Sequence, residues 1–129
     1  MAAGAVRGDV PRTGNQGIDA LISAWRWNAA TLTYSFSTSG SFYSYGPEKQ
    51  TFSSFSAFQA FAATKALGEV AGFTHLQFVR VTEGKTQHGD LRFAESDMPA
   101  TAYAFLPDRQ WGGDAWFNKL DYNAPQIGN

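Results

Sequence analysis

The chain has 129 residues, ten basic against eleven acidic, for a formal net charge of −1. That is the size of one domain, and without a basic block there is no patch to neutralise phosphates, which argues against nucleic-acid binding. The absence of cysteine excludes disulfides, thiolate metal sites and cysteine nucleophiles. The longest apolar runs are too short to span a membrane. Hydrophobic residues make up 43% and aromatics 16%, richer than a disordered chain.

Met1 to Gly17 lacks the long apolar segment of a Sec signal peptide. Residues 1–16 read as a flexible lead-in, rich in Gly, Ala, Arg and Pro, ahead of one folded unit, 17–129. Within it Arg7-Gly8-Asp9 reads as a chance tripeptide rather than an adhesion signal. Ile18, Leu21, Ile22 and Trp25 recur at i, i+3, i+4, i+7, the spacing of one face of a short helix.

Thr31 to Phe36 alternates, with Leu32, Tyr34 and Phe36 on one side, and predicts a strand. Ser37 to Lys49 is rich in Ser, Gly and Tyr and reads as a loop. Ser56-Ala-Phe-Gln59 has the capping-box form S-x-x-Q and predicts a helix to about Ala71. Phe55, Phe58, Ala62, Ala66 and Val70 fall on one stripe of it. Gln59 and Glu69 interrupt the pattern, Gly68 weakens it, and Gly72 is the expected stop.

Leu76–Val81 reads as a strand, Thr82–Gly89 as a polar loop, and Asp90–Ala94 alternates again. Ala102–Leu106 and Ala115–Asn118 are two further strands, with Gly112-Gly113 supplying the turn between them. No internal repeat and no linker to a second domain is visible.

Residues that usually do chemistry are sparse. His75 and His88 are the two histidines, with no i+4 partner and no metal-binding pattern, whereas a catalytic zinc needs about three protein ligands. There is no G-x-S-x-G elbow and no phosphate-binding glycine loop. Asp97, Asp108, Asp114 and Asp121 could offer oxygen ligands to calcium, but turn formation is the simpler reading. Trp25, Trp27, Tyr34, Phe36, Trp111, Trp116 and Phe117 could line a sugar platform. The simpler reading is the core and rim of a small sheet.

The order of segments nevertheless resembles the N-terminal half of a serralysin-type protease domain, in the metzincin clan of zinc endopeptidases. "IDALISAWRW" and "TLTYSF" resemble its opening, and "FSAFQAFAATKALGEVAGFTHLQFVRV" its first long helix and following strand. "GDLRFAES" resembles the third strand, "TAYAFLP" and "GGDAWFN" the fourth and fifth. Matrixins, a sister family, have a similar apolar strand, proline stop, Gly-Gly-Asp and aromatic strand. The likeness covers residues 17 to 129.

The resemblance implies an α+β fold: a twisted, mostly parallel five-stranded sheet with one antiparallel edge strand and one long helix. In this family the motif H-E-x-x-H-x-x-G-x-x-H holds zinc on a helix after these strands, and its glutamate is the general base. The 129 residues contain no such motif. The resemblance therefore implies a partial zinc metalloendopeptidase domain, without its active-site helix and inactive alone, or a half complemented by a second chain carrying H-E-x-x-H. It further implies zinc and calcium in the complete family domain, none held by this chain alone. It also implies an extracellular setting, although the family's C-terminal secretion signal is not in the sequence. Where matrixins hold a second zinc through histidines, this sequence has Tyr103 and Trp116. What carries over is the substrate-binding edge strand, here Ala102, Tyr103, Ala104 and Phe105, which in the family pairs with an extended peptide by β-augmentation. The competing expectation is a stand-alone, non-catalytic peptide- or carbohydrate-binding module.

Overall fold

The computed structural model describes residues 6–122, with the side chains of residues 121 and 122 set aside. The first five residues of the expected lead-in, Met1–Ala5, and the chain end at Pro125–Asn129 lie outside the described residues. The architecture is α+β. A mixed five-stranded sheet carries one long helix, and a two-stranded ribbon stands apart from the sheet.

The ribbon pairs β1 (Val6–Arg7) with β2 (Arg26–Trp27), antiparallel. Part of the stretch expected as a lead-in is thus a strand, with Val6 4% exposed. Arg7 and Asp9 form an ion pair across Gly8, and Arg26 adds a second contact to Asp9 at 3.5 Å.

The helix predicted from Ile18, Leu21, Ile22 and Trp25 does not form at that length. Helix α1 covers only Gln16–Asp19. Asn15 caps it through its side chain, and Asp19 turns back to accept from the Thr13 N–H and hydroxyl, both at 2.8 Å. Those bonds secure the start of the helix; beyond Asp19 the chain goes over to single turns, with Leu21 N–H donating to Ile18 O at 2.9 Å and Ile22 N–H to Asp19 O at 3.2 Å. Leu21 is left 87% exposed, and Trp25 instead lies under the Arg109 guanidinium at 5.0 Å.

Strand β3 (Thr31–Phe36) runs as the alternation predicts. The following loop contains two 3-10 turns, Gly40–Phe42 and Glu48–Thr51. Helix α2 spans Ala57–Phe73. Its capping box is complete: Ser56 Oγ accepts from the Gln59 N–H at 3.1 Å, and Gln59 Oε1 accepts from the Ser56 N–H at 2.7 Å. Two orphan donors of the first turn are thereby satisfied. Gly72 is not the stop. It lies inside the helix, without the positive φ such a cap requires. The end is closed by Thr74, whose hydroxyl donates to the Val70 carbonyl at 2.9 Å.

Strands β4 (Gln77–Arg80), β5 (Leu91–Ser96), β6 (Ala102–Ala104) and β7 (Asp114–Asn118) complete the sheet. The spatial order is β4-β3-β5-β7-β6. All neighbours are parallel except β6, which pairs antiparallel with β7 at the edge. A four-residue helix, α3 (Lys119–Tyr122), follows β7.

Alternation gives the sheet two faces. Leu32, Tyr34, Phe36, Phe93, Ala115 and Phe117 point toward α2. Ser35, Ser37, Arg92, Ala94, Asp114 and Trp116 point to the other face, which the 37–52 loop covers. The tightest core is on that second face, where Trp116 and Ala94 are 0% and Tyr43 2% exposed.

Candidate functional site

Strand β6 is one of the two edges of the sheet, β4 being the other. Thr101 O accepts from the Asn118 N–H at 2.7 Å, and Phe105 N–H donates to Asp114 O at 3.0 Å. In an antiparallel ladder, inward and outward backbone groups alternate. Tyr103 therefore also faces β7, while Ala102 and Ala104 turn their N–H and C=O groups outward. All three residues of the strand are exposed. Edge strands are commonly protected by charge, proline or a bulge on the open side. Ala102, Tyr103 and Ala104 carry none of these, and what limits this edge is its length of three residues.

The predicted strand Ala102–Leu106 is cut short at Ala104, and Phe105 is therefore outside it. Its pairing nevertheless continues in a bulged form. Gly113, at φ +92°, donates its N–H to Phe105 O at 3.0 Å, so that Gly113 and Asp114 together oppose Phe105. This is the arrangement of a G1 bulge, in which the first residue is a left-handed glycine. A Cβ on Gly113 would stand 2.0 Å from Asp90 O, so the site is closed to side chains as well as strained. Asp108 shapes the turn before it by accepting from the N–H groups of Gln110, Trp111 and Gly112 at 2.6 to 3.0 Å. Burial pushes its pKa up, but those three bonds outweigh it and hold the carboxyl below the ordinary value.

The two faces of β6 differ. Tyr103 and Phe105 point to the loop-covered side. Their rings pack edge to face at 5.8 Å, and Phe105 reaches Trp111 at 5.7 Å. The Tyr103 hydroxyl donates to the Glu48 carboxylate. Burial, followed by that bond to an anion, raises the tyrosine's pKa. Ala102 and Ala104 point to the α2 side, opposite Phe117 and Ala115 respectively.

Beside them runs an apolar groove of about 310 Å³. One wall is α2, through Ala62, Ala63, Ala66 and Val70; the floor is Phe93 and Phe117. The groove divides the predicted apolar stripe, whose Phe55 packs on Phe93 and Phe117 of the sheet at 6.1 and 5.3 Å. Of the stripe Phe55, Phe58, Ala62, Ala66 and Val70, Ala62 and Ala66 are exposed and Phe58 is 42% exposed. The sheet-packing side of α2 carries Ala60, 8% exposed, and Thr64, whose hydroxyl accepts from the Tyr34 hydroxyl at 3.4 Å. Thus α2 has two apolar sides, one on the sheet and one on open space.

The opposite face holds a buried ionic cluster that the sequence reading missed. Glu83 accepts from Ser35 at 2.9 Å, Ser37 at 3.0 Å and Arg92 at 2.5 Å. The Arg92 guanidinium lies 3.8 Å from the centre of the Tyr43 ring and 3.7 Å from Asp114. Asp114 accepts from the Tyr45 hydroxyl at 2.7 Å. It is 5% exposed. Its pKa is raised by burial, against the opposing pull of Tyr45 and Arg92. The expectation that it is a turn-forming aspartate fails: Asp108 makes the turn, and Asp114 sits in the cluster.

The other candidates are dispersed. His75 is exposed where the chain leaves α2, and His88 Nδ1 lies 2.8 Å from Gly89 O. Of the aromatics weighed as a sugar platform, Trp116 and Tyr34 are buried, and Trp111 stacks on Tyr45 at 4.7 Å. They do not share one surface. The backbone of Asp121 lies in α3, and its side chain is outside the described residues. Among the described residues, no group of three or more His, Cys, Asp or Glu side chains could hold a metal ion. Nor is any helix among them long and apolar enough to cross a membrane. The chain matches no family model and no curated protein.

Proposed function

We propose that this chain is the substrate-side portion of a serralysin-like zinc metalloendopeptidase domain, binding an extended peptide along Ala102–Phe105. The single observation that carries the reading is the short antiparallel edge strand, whose outward backbone groups at Ala102 and Ala104 are available to a further strand. Backbone pairing supplies affinity without reactive side chains, which suits a stretch that has none. The second apolar side of α2 also supports it, because a helix that is apolar on two sides calls for a second packing partner. In a metzincin domain that partner would be the zinc-bearing helix, which would come from outside these residues or from a complementing chain.

Among the described residues no set of side chains fits a zinc ion. On this reading the chain binds and does not cut, and calcium as well as zinc belongs to the complete domain. The extracellular setting remains part of the proposal through the family resemblance. The test is a casein-cleavage assay on the purified chain with added zinc. No cleavage is expected; chelator-sensitive cleavage would overturn the reading.

A second reading is a stand-alone peptide-binding module. It is favoured by the loop-covered face, where the Glu83–Arg92 pair is closed in by the chain's own residues. Thermal unfolding and light scattering separate the two. A cooperative transition without self-association favours the module, and aggregation through the open groove favours the partial domain.

A further inference from the structure

Resting on the reading of β6 as a peptide-binding edge, we propose that the edge selects an extended, uncharged segment carrying a large apolar side chain opposite Ala102 or Ala104. An added strand lies about 4.8 Å from β6, and a residue directly opposite an edge residue points to the same face. Two kinds of position therefore alternate along the partner.

Opposite Tyr103 the face is already occupied. The Tyr103 ring packs on Phe105, and its hydroxyl is held by Glu48. Opposite Ala102 and Ala104 it is a shelf. Both alanines are exposed, and their cross-strand partners are Phe117 and Ala115. The two methyl groups are too short to cover Phe117, which also floors the apolar groove. A Phe, Leu or Met on the partner lies across the alanine and reaches that ring, whereas an alanine leaves the shelf bare. No charged residue lies in Ala102–Phe105, so a charged side chain on the shelf would be desolvated without a partner on the strand.

The experiment compares two short acetylated, fluorescein-labelled peptides by fluorescence polarisation. One is an alternating Thr/Ala sequence with a single central Phe; the other has Ala in its place. The unmodified chain is expected to bind the Phe peptide roughly tenfold more tightly, the ratio that corresponds to about 1.4 kcal/mol. Ala102→Phe and Ala104→Leu fill the shelf from the protein side. Each is expected to reduce the ratio of the two affinities, and circular dichroism checks that each variant folds. Equal binding of the two peptides by the unmodified chain overturns this inference and leaves the edge reading standing. So does a preference that survives in both folded variants. Failure of both peptides to bind overturns the edge reading itself, and so does binding that survives N-methylation of the peptide backbone.

Discussion

Arg92 reaches Glu83 at 2.5 Å, with the two side chains 5% and 0% exposed. The contact ties the loop after β4 to the start of β5, and Tyr43 caps it from the 37–52 loop. A buried ion pair is a poor source of net stability, but breaking one leaves an uncompensated charge. Glu83→Ala is therefore expected to destabilise the fold by about 3–5 kcal/mol, and Arg92→Leu by a similar amount. The double variant should cost less than the sum of the two, because it leaves neither charge alone. Urea unfolding of the four proteins in the cycle measures this, and an additive result would contradict the coupling.

Two backbone devices make a second prediction. Ser56→Ala removes the acceptor for the Gln59 N–H and should lower stability by about 1 kcal/mol. Gly113→Ala should do far more harm, since it combines a positive φ with a Cβ placed 2.0 Å from Asp90 O. Its disruption falls on the bulge that aligns β6, so loss of peptide binding should accompany the loss of stability. Denaturant midpoints for the two variants test the ranking.

These two devices also mark what the sequence made legible. The S-x-x-Q box needs only residues three apart, so it was readable, and the alternation of Thr31–Phe36 is equally local. The direction α2 faces was not readable. The stripe Phe55, Phe58, Ala62, Ala66 and Val70 and the side with Ala60 and Thr64 are both small and apolar enough to pack, and only the sheet decides between them. The ionic cluster was hidden for a related reason. Arg92 lies between Leu91 and Phe93, and its burial depends on Glu83 arriving from a polar loop. One local signal was available: Ala94 and Ser96, on the same face as Arg92, are small and leave room beneath a loop rich in tyrosine. The edge residues Ala102, Tyr103 and Ala104 were picked out through family resemblance. Their exposure and outward backbone groups come from the topology.

The Asp108 turn gives a pH-dependent prediction. Its carboxyl titrates below the ordinary 3.8 in the folded chain, because the three backbone bonds outweigh burial. A group with a depressed folded pKa contributes stability that is fully present above its unfolded pKa and lost as pH falls through the folded one. Asp108→Asn keeps an acceptor oxygen but removes the charge. The variant should be less stable at neutral pH, and the gap should close as pH falls below 3.8. Urea midpoints across that range check the sign. A gap that widened on acidification would show that the charge is not what the turn uses.

Proline substitution separates the two sides of β6. Ala104 turns its N–H away from β7, so Ala104→Pro removes a donor that no neighbouring strand uses, and an edge strand tolerates this. The preceding residue, Tyr103, is already in a strand, which is the region that a following proline favours. Stability should change little while an added peptide loses a backbone donor and its affinity falls. Tyr103→Pro is the opposite case. Its N–H faces β7 at the register position of Trp116, so the substitution removes a ladder bond and leaves a carbonyl without its donor, costing roughly 1–3 kcal/mol beyond a Tyr103→Ala control that accounts for the lost contacts to Phe105 and Glu48. Measured side by side, Ala104→Pro should show a wild-type-like unfolding midpoint with weakened peptide binding, and Tyr103→Pro a lowered midpoint. The same midpoint shift in both variants would mean that the outward and inward assignment of the strand is reversed or absent. Unchanged peptide binding in Ala104→Pro would place the peptide somewhere other than this edge.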